Sequence, residues 1–213
     1  MLTRRSVGMA LLMMAAAAIL SPRSSASAAS EYADGARDFL QSLADRTIAA
    51  LNQKNLPPPQ RIETFRRLFA DGFDVPTIGR FVAGRSWQRA SEPQKTAYLK
   101  VFEDVTILTW ALRFDQYAGE KLVIDRVRED GKAVLLESSI IRPGKGPIRV
   151  EWRIERGKDG YKILDIIAEG TSLAIAQRAD YSAVIQQSNG EFDGLIRALR
   201  DKRQKLKQQA KVE

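Results

Sequence analysis

The sequence predicts an α+β fold in which helices come first, an antiparallel sheet follows, and further helices close the chain. Apolar residues recur at helical spacing from Ala36 to Tyr117 and alternate with polar residues from Leu122 to Ala168. Helical spacing returns after Gly170. The chain has 213 residues, of which 44% are hydrophobic, enough for one sizeable core. We therefore expect one mature domain.

The composition excludes several classes of chemistry. The chain contains no Cys and no His, so it has no disulfide, no thiolate or imidazole metal ligand, and no Ser-His or Cys-His nucleophilic pair. Only carboxylates, Lys and Tyr are left for acid–base work. We expect no metal site, no cofactor and no enzymatic activity.

The N-terminus has the pattern of a cleaved export signal. Arg4 and Arg5 precede an apolar run at 7–20, and Ala26-Ser27-Ala28 provides small residues for cleavage after Ala28. The alternative is a membrane anchor, but the run is shorter than the roughly 20 residues of a spanning helix. Residues 3–7 are similar to a twin-arginine signal without its usual continuation. We expect an exported domain at 29–213, with Sec and twin-arginine routes both open.

The positive charge is concentrated at the two ends of the chain. Removing Arg4, Arg5 and Arg23 with the signal lowers the net charge from +8 to +5. The segment Arg197–Glu213 has seven basic and two acidic residues, so the remaining body is neutral. We expect a basic tail from about Lys202 that frays, as either a solvated face or a contact for acidic protein or anionic lipid. This distribution does not indicate nucleic-acid binding.

Three amphipathic helices are predicted before residue 85. The first runs from Ala36 until the prolines at 57–59, and the second presents Ile62, Phe65, Leu68 and Phe69 on one face. Asp74 is the predicted N-cap of the third, which ends near Gly84.

A longer helix is predicted over Glu92–Tyr117. Ser91 and Gln94 form a capping box at its start. Its second half has almost no polar face, as expected for a helix that is buried on more than one side. Either this is a central core helix, or one of its sides lines an apolar cavity.

Four strands are predicted between Leu122 and Ala168. A three-residue turn at 129–131 would place Leu122 and Ile124 on the same face as Val134, Leu136 and Ile140. A hairpin closed at Gly157–Gly160 would bring Trp152 near Leu164 and Val150 near Ile166.

The same register makes a specific prediction for Asp165. It would lie opposite Glu151, with Arg149 and Arg153 diagonal to it. We therefore interpret Asp165 as an ion-pair member rather than as a catalytic carboxylate, which would require desolvation without neighbouring cations. Glu169 is interpreted as a capping or ion-pair group.

Several segments together resemble one protein family. They are Phe73-Asp74-Val75, Gly79-Arg80-Phe81-Val82 with Gly84, Trp87, Ser91, Asp165 with Ala168-Glu169-Gly170-Thr171-Ser172-Leu173, and Gly190 with Asp193-Gly194-Leu195-Ile196. This pattern resembles the MlaC family of periplasmic phospholipid-binding proteins, also called the toluene-tolerance auxiliary family, over roughly residues 35–200. Tyr161 stands where that family commonly has Trp.

The resemblance implies helices wrapped over one face of a twisted, mainly antiparallel four-stranded sheet, in a cystatin-like arrangement. It also implies an apolar cavity between the two layers for the acyl chains of a diacyl phospholipid. The expected lining residues are Phe81, Val82, Phe102, Val105, Leu108, Leu136, Ile140, Val150, Trp152, Leu164 and Ile166. The alternative is that these side chains pack against one another as a filled core.

The resemblance further implies a monomeric carrier that shuttles phospholipid across the periplasm. Its partners would be an outer-membrane lipoprotein/porin complex and an inner-membrane lipid ABC transporter with its periplasmic substrate-receiving subunit. Two alternatives are kept. One is a hopanoid-binding carrier of the same family, and the other is a periplasmic chaperone or scaffold without lipid.

We predict that the mature chain begins at Ala29, because the small-x-small pattern ends at Ala28. The measurement is the intact mass of protein recovered from the periplasm. A mature mass that still includes residues 7–20 would contradict the prediction.

Overall fold

The structure is a computed structural model that describes residues 23–53, 56–114 and 119–211. The apolar run at 7–20 and the expected helix end at Tyr117 lie outside these ranges. The described helices are α1 (Arg23–Leu51), α2 (Pro58–Gly72), α3 (Val75–Ala83), α4 (Arg85–Arg89), α5 (Glu92–Phe114), α6 (Leu173–Gln187) and α7 (Phe192–Gln209). None of the described helices is both long enough and apolar enough to cross a membrane.

The predicted helix starts are confirmed by their hydrogen bonds. The backbone N–H of Thr77 donates to Asp74 Oδ1 at 3.0 Å, so Asp74 caps α3. At the start of α5, the Ser91 N–H donates to Gln94 Oε1 at 2.9 Å and the Gln94 N–H donates to Ser91 Oγ at 3.4 Å. These side chains supply partners that the first turn of a helix lacks.

One antiparallel sheet forms the second layer, with strand order β1-β2-β3-β4-β5. The predicted α+β architecture is thus confirmed, with a short fifth strand added at the edge. The strands are β1 (Lys121–Asp130), β2 (Ala133–Arg142), β3 (Lys145–Gly157), β4 (Gly160–Ala168) and β5 (Thr171–Ser172).

The predicted three-residue turn between β1 and β2 is wrong. Asp130 pairs with Ala133, so the turn has two residues, Gly131 and Lys132. The register instead changes at a bulge between Ile124 and Arg126. The extra residue, Asp125, is exposed, and the bulge keeps this carboxylate off the core face.

The predicted pairing of β3 with β4 is also wrong beyond the turn. The hairpin closes at Gly157 and Gly160 as expected, but Trp152 pairs with Ile166 and Val150 with Ala168. A bulge at Leu164 shifts the register, because Ile154 pairs with Ile163 while Arg153 pairs with Asp165. The prediction assumed an unbroken two-residue period along β4, and the bulge interrupts that period.

Two main apolar clusters hold the layers together. One lies among α3, α5, α6 and α7, and Tyr98 is at its centre with a fully buried side chain. The other lies between α1 and the sheet, where Leu40 packs with Leu136 and Ile154. Burial raises the pKa of Tyr98 above its usual value, so its hydroxyl stays protonated and donates to the Gly79 carbonyl at 3.0 Å.

The last helix is predicted from the sequence over Glu191 to about Gln208, and α7 (Phe192–Gln209) confirms it. Residues from Lys202 were expected to fray, but α7 remains helical to Gln209. Arg203 pairs with Asp104 of α5 at 3.3 Å, and Leu206 packs on the Tyr98 cluster. These contacts offset the entropy cost of ordering the added turns.

We predict that Tyr98→Phe lowers the free energy of unfolding by about 1 kcal/mol, because the substitution removes a buried hydrogen bond. Denaturant unfolding measures the change. Ser182→Ala is the control, since its hydroxyl bonds at an exposed position to the Arg178 carbonyl and water can replace that bond. An equal loss in both variants would contradict the prediction.

Candidate functional site

The candidate site is the face of the sheet that carries its apolar side chains. On β2 and β3 the strand period places alternate residues on this face. Their cross-strand pairs are Val134 with Ile154, Leu136 with Trp152, Ser138 with Val150, and Ile140 with Ile148. The face therefore combines large aliphatic side chains with one indole and one hydroxyl.

Helix α1 covers the half of this face that lies nearest the β1–β2 and β3–β4 turns. Ala36, Leu40 and Leu43 pack there with Val134, Leu136, Ile154 and Ile163. The Tyr32 hydroxyl fixes the helix by donating to the Lys132 carbonyl at 2.8 Å and accepting from the Arg156 N–H at 2.9 Å. This half of the face is a filled core.

The adjoining half contains a satisfied polar group. Ser138 is the one buried polar residue in the described part of the chain, at 2% exposure. Its hydroxyl donates to the Val150 carbonyl at 2.9 Å and accepts from Trp152 Nε1 at 2.8 Å. Both polar side chains on the face thus have partners, and neither requires water or a polar ligand.

The structure distributes the eleven predicted lining residues over several environments. Val82, Phe102 and Val105 lie in the helical cluster. Leu136, Trp152 and Ile166 lie in the cluster between α1 and the sheet. Leu108 and Val150 are also buried, Ile140 and Leu164 are partly buried, and Phe81 is 42% exposed.

The predicted lining residues did not include several members of the apolar face. Leu122 and Ile124 of β1 pack at its edge; they were predicted to share this face but were not named as lining residues. Val127 packs there as well, and the bulge at Asp125 puts it out of step with a strict two-residue period. Ser138 lies between Leu136 and Ile140 in the same alternation, so the pattern contained the signal for it. Ser138 was not named as a buried residue because serine is polar.

Two shallow grooves lie elsewhere on the outside of the molecule. One, of about 370 Å³, lies between α5 and α7, and the other, of about 480 Å³, lies along α2. None of the predicted lining residues borders either groove. No group of metal-ligating side chains is found within the described ranges.

Asp165 has a different role from the predicted one. Its Oδ1 accepts the N–H of Ile166 at 2.8 Å and the N–H of Ala174 at 3.0 Å. Its Oδ2 accepts the Ser172 hydroxyl at 2.5 Å. Ser172 in turn caps α6 by accepting the Ile175 N–H at 3.0 Å. The carboxylate therefore ties β4 to the N-terminus of α6, where a negative charge is favourable.

The two arginines that were assigned to Asp165 have other partners. Arg153 pairs with Asp130. Arg149 pairs with Glu169 at 3.9 Å and also donates its backbone N–H to Glu169 Oε1 at 2.7 Å. The ion-pair interpretation of Glu169 is thus confirmed, whereas that of Asp165 is wrong.

Charged side chains of the sheet lie on its outer face, together with a few apolar ones. Arg128 reaches Glu137 at 3.4 Å and Glu151 at 3.0 Å there. Within the described residues, no buried side-chain nitrogen or oxygen lacks a hydrogen-bond partner. Hydrocarbon placed against the inner face would therefore leave no charge desolvated.

Comparison with known proteins gives concordant results. The model of the family described as MlaC protein matches residues 41–201. A solved phospholipid-binding protein from Ralstonia solanacearum, in complex with a phospholipid, superposes with a TM-score of 0.71. It is 20% identical, and the match covers 80% of this chain and 98% of that one. Comparison with curated proteins gives no match.

We predict that Asp165→Ala lowers the free energy of unfolding by about 2 to 3 kcal/mol, because it removes three hydrogen bonds to a carboxylate. Asp165→Asn should cost less, since one oxygen remains. Thermal and denaturant unfolding measure both changes. Asp159→Asn, at the exposed β3–β4 turn, is the control. Unchanged stability in Asp165→Ala would remove the structural role.

Proposed function

The chain belongs to the MlaC protein family, and from that premise we propose that it is a soluble periplasmic carrier of glycerophospholipid. The acyl chains would bind between the sheet and the helices, with the headgroup at the surface. The apolar sheet face is the observation that carries this proposal. The described part of the chain has no charged residue among its buried side chains.

The energetics require an apolar binding face of this kind. Each buried CH₂ contributes about 0.8 kcal/mol, so two chains of roughly 16 carbons represent about 25 kcal/mol of transfer free energy from water. A carrier must match most of this to extract lipid from a bilayer. A buried unpaired charge would cancel a large part of it.

The proposed lining is the subset of the predicted residues that is neither buried within one of the two main apolar clusters nor exposed. It comprises the partly buried Ile140, Leu164, Trp152 and Ile166 together with the buried Leu108 and Val150. Partial burial of the first four supports their inclusion, because their packing by protein atoms is incomplete. We leave out Phe81 because of its exposure.

The route of transport is part of the same proposal. The leader at 1–28 would direct export, and the mature domain would exchange lipid with an inner-membrane ABC transporter through its periplasmic receiving subunit. The other partner would be the outer-membrane lipoprotein/porin complex. Such exchange would maintain the lipid asymmetry of the outer membrane. The family assignment supports this route.

The test is to purify the protein without added lipid, extract it with organic solvent and identify the extract by mass spectrometry. About one diacyl phospholipid per chain is expected. A hopanoid in its place would establish the alternative carrier. Protein that is lipid-free after mild purification and takes no lipid from vesicles would support a chaperone or scaffold and overturn the proposal.

We predict that Ile140→Trp and Leu164→Trp each fold but carry less lipid or shorter acyl chains, because the larger side chain occupies ligand volume. Bound lipid per folded protein and the thermal midpoint are measured together. Val134→Trp is the control, since Val134 is fully buried against α1 and overpacking there costs about 1 to 3 kcal/mol. Loss of stability at Ile140 and Leu164, with lipid content unchanged, would indicate a filled core instead.

A further inference from the structure

An exposed apolar surface lies where α3 meets α6, away from the sheet face. Phe81 of α3 is 42% exposed and Ile175 of α6 is 62% exposed. The guanidinium of Arg178 lies over the Phe81 ring at 5.0 Å from its centroid. Ile175 and Arg178 are three residues apart and therefore adjacent on α6. The three side chains form one continuous ridge.

Further arginines surround this ridge. Arg80 precedes Phe81 and lies 5.8 Å from the Trp87 ring centroid. Arg85 follows Gly84, at which a Cβ would come within 3.1 Å of Arg178 Nε. We define the α3–α6 surface as Phe81, Ile175, Arg80, Arg85 and Arg178.

The α3–α6 surface takes its positive charge from arginines on three helices, α3, α4 and α6. In the described part of the chain, none of its three arginines pairs with a carboxylate. Residues 75–91 contain no acidic residue. The nearest acid along α3 is Asp74, whose carboxylate is already bonded to Thr77. An external anion would therefore meet unpaired guanidinium groups.

The other exposed large apolar residues have a different environment. Val123 and Ile141 lie on the outer face of the sheet, at 46% and 43% exposure. Ser139, which pairs with Val123, donates to the carboxylate of Asp125 at 2.8 Å. On that face Arg128 and Arg153 pair with carboxylates. The exposed apolar groups there are therefore accompanied by charges of both signs, whereas those of the α3–α6 surface are accompanied by unpaired arginines.

We propose that the α3–α6 surface docks the protein on the anionic headgroup layer of a phospholipid bilayer. The phosphates would accept hydrogen bonds from the three arginines, while Phe81 and Ile175 would enter the boundary between headgroups and acyl chains. The stacking of Arg178 on Phe81 suits this boundary, because it holds a cation and an aromatic ring at the same depth. Exposed apolar side chains beside unpaired cations match the mixed chemistry of the boundary between headgroups and acyl chains, which favours a lipid surface over an acidic protein.

The test is co-sedimentation of the exported protein with vesicles, with all variants prepared in the same form. Wild-type protein should bind vesicles of phosphatidylglycerol and phosphatidylethanolamine, bind phosphatidylcholine vesicles more weakly, and dissociate as salt is raised. Since each arginine near an anionic membrane strengthens binding about fivefold, the triple variant Arg80→Gln, Arg85→Gln, Arg178→Gln should bind at least roughly tenfold more weakly. The double variant Phe81→Ser, Ile175→Ser should also lose binding.

Two matched controls keep the test specific. Val123→Ser with Ile141→Ser removes the other exposed apolar pair, and Arg67→Gln, Arg126→Gln, Arg200→Gln removes three exposed arginines elsewhere. Both should bind as wild type does. Equal weakening in these controls would show non-specific charge or hydrophobic adsorption and would overturn the proposal.

A second measurement does not depend on loss of binding. Phe81→Trp should gain fluorescence that lipids with brominated acyl chains quench, and Val123→Trp should not. Bound phospholipid per chain is measured for every variant and should stay at the wild-type level, which separates docking from lipid carriage. The proposed membrane docking would be overturned if the wild-type protein does not bind anionic vesicles, or if this surface binds only an acidic protein.

Discussion

The carboxylate of Asp165 is the interaction on which the closing half of the structure depends. It accepts from two backbone N–H groups and from the Ser172 hydroxyl, and Ser172 caps α6. The sheet edge and the helix therefore share one set of hydrogen bonds. Because α6 packs on α3 and joins α7, which packs on α5, this junction ties the helical layer to β4, alongside the bridge between Phe73 and Ile163. A negative charge at a helix N-terminus is favourable for that geometry.

A second constraint is the separation of charge from hydrocarbon across the sheet. The outer face has paired arginines and carboxylates, whereas the inner face has aliphatic side chains and the satisfied pair of Ser138 and Trp152. Each buried unpaired charge would oppose the binding of acyl chains. This separation is in keeping with the proposed carrier function of this family member.

The helical layer has two chemically different ends. At the C-terminus, Arg203 and Leu206 hold the basic helix α7 on α5, so its charge belongs to an ordered element. At the α3–α6 surface, unpaired arginines surround exposed apolar side chains. The proposed carrier function would require the protein to approach membranes or membrane complexes, and these two surfaces would give it positive charge outside the proposed acyl-chain site.

The sequence by itself determined the elements of this protein whose cause is local. Helix starts at Asp74 and Ser91 follow from side chains within three residues, and the order of helices and strands follows from apolar periodicity. The tertiary structure decided the features that depend on residues distant in the sequence, namely two strand registers and the partners of Asp165. The bulges at Asp125 and Leu164 shifted two registers, since a bulge forms where cross-strand packing favours it and interrupts the regular two-residue period of a strand. Asp165 bonded to Ser172 and Ala174 at the start of α6 instead of the arginines, because the helix start supplied unpaired N–H groups that strand pairing alone does not reveal.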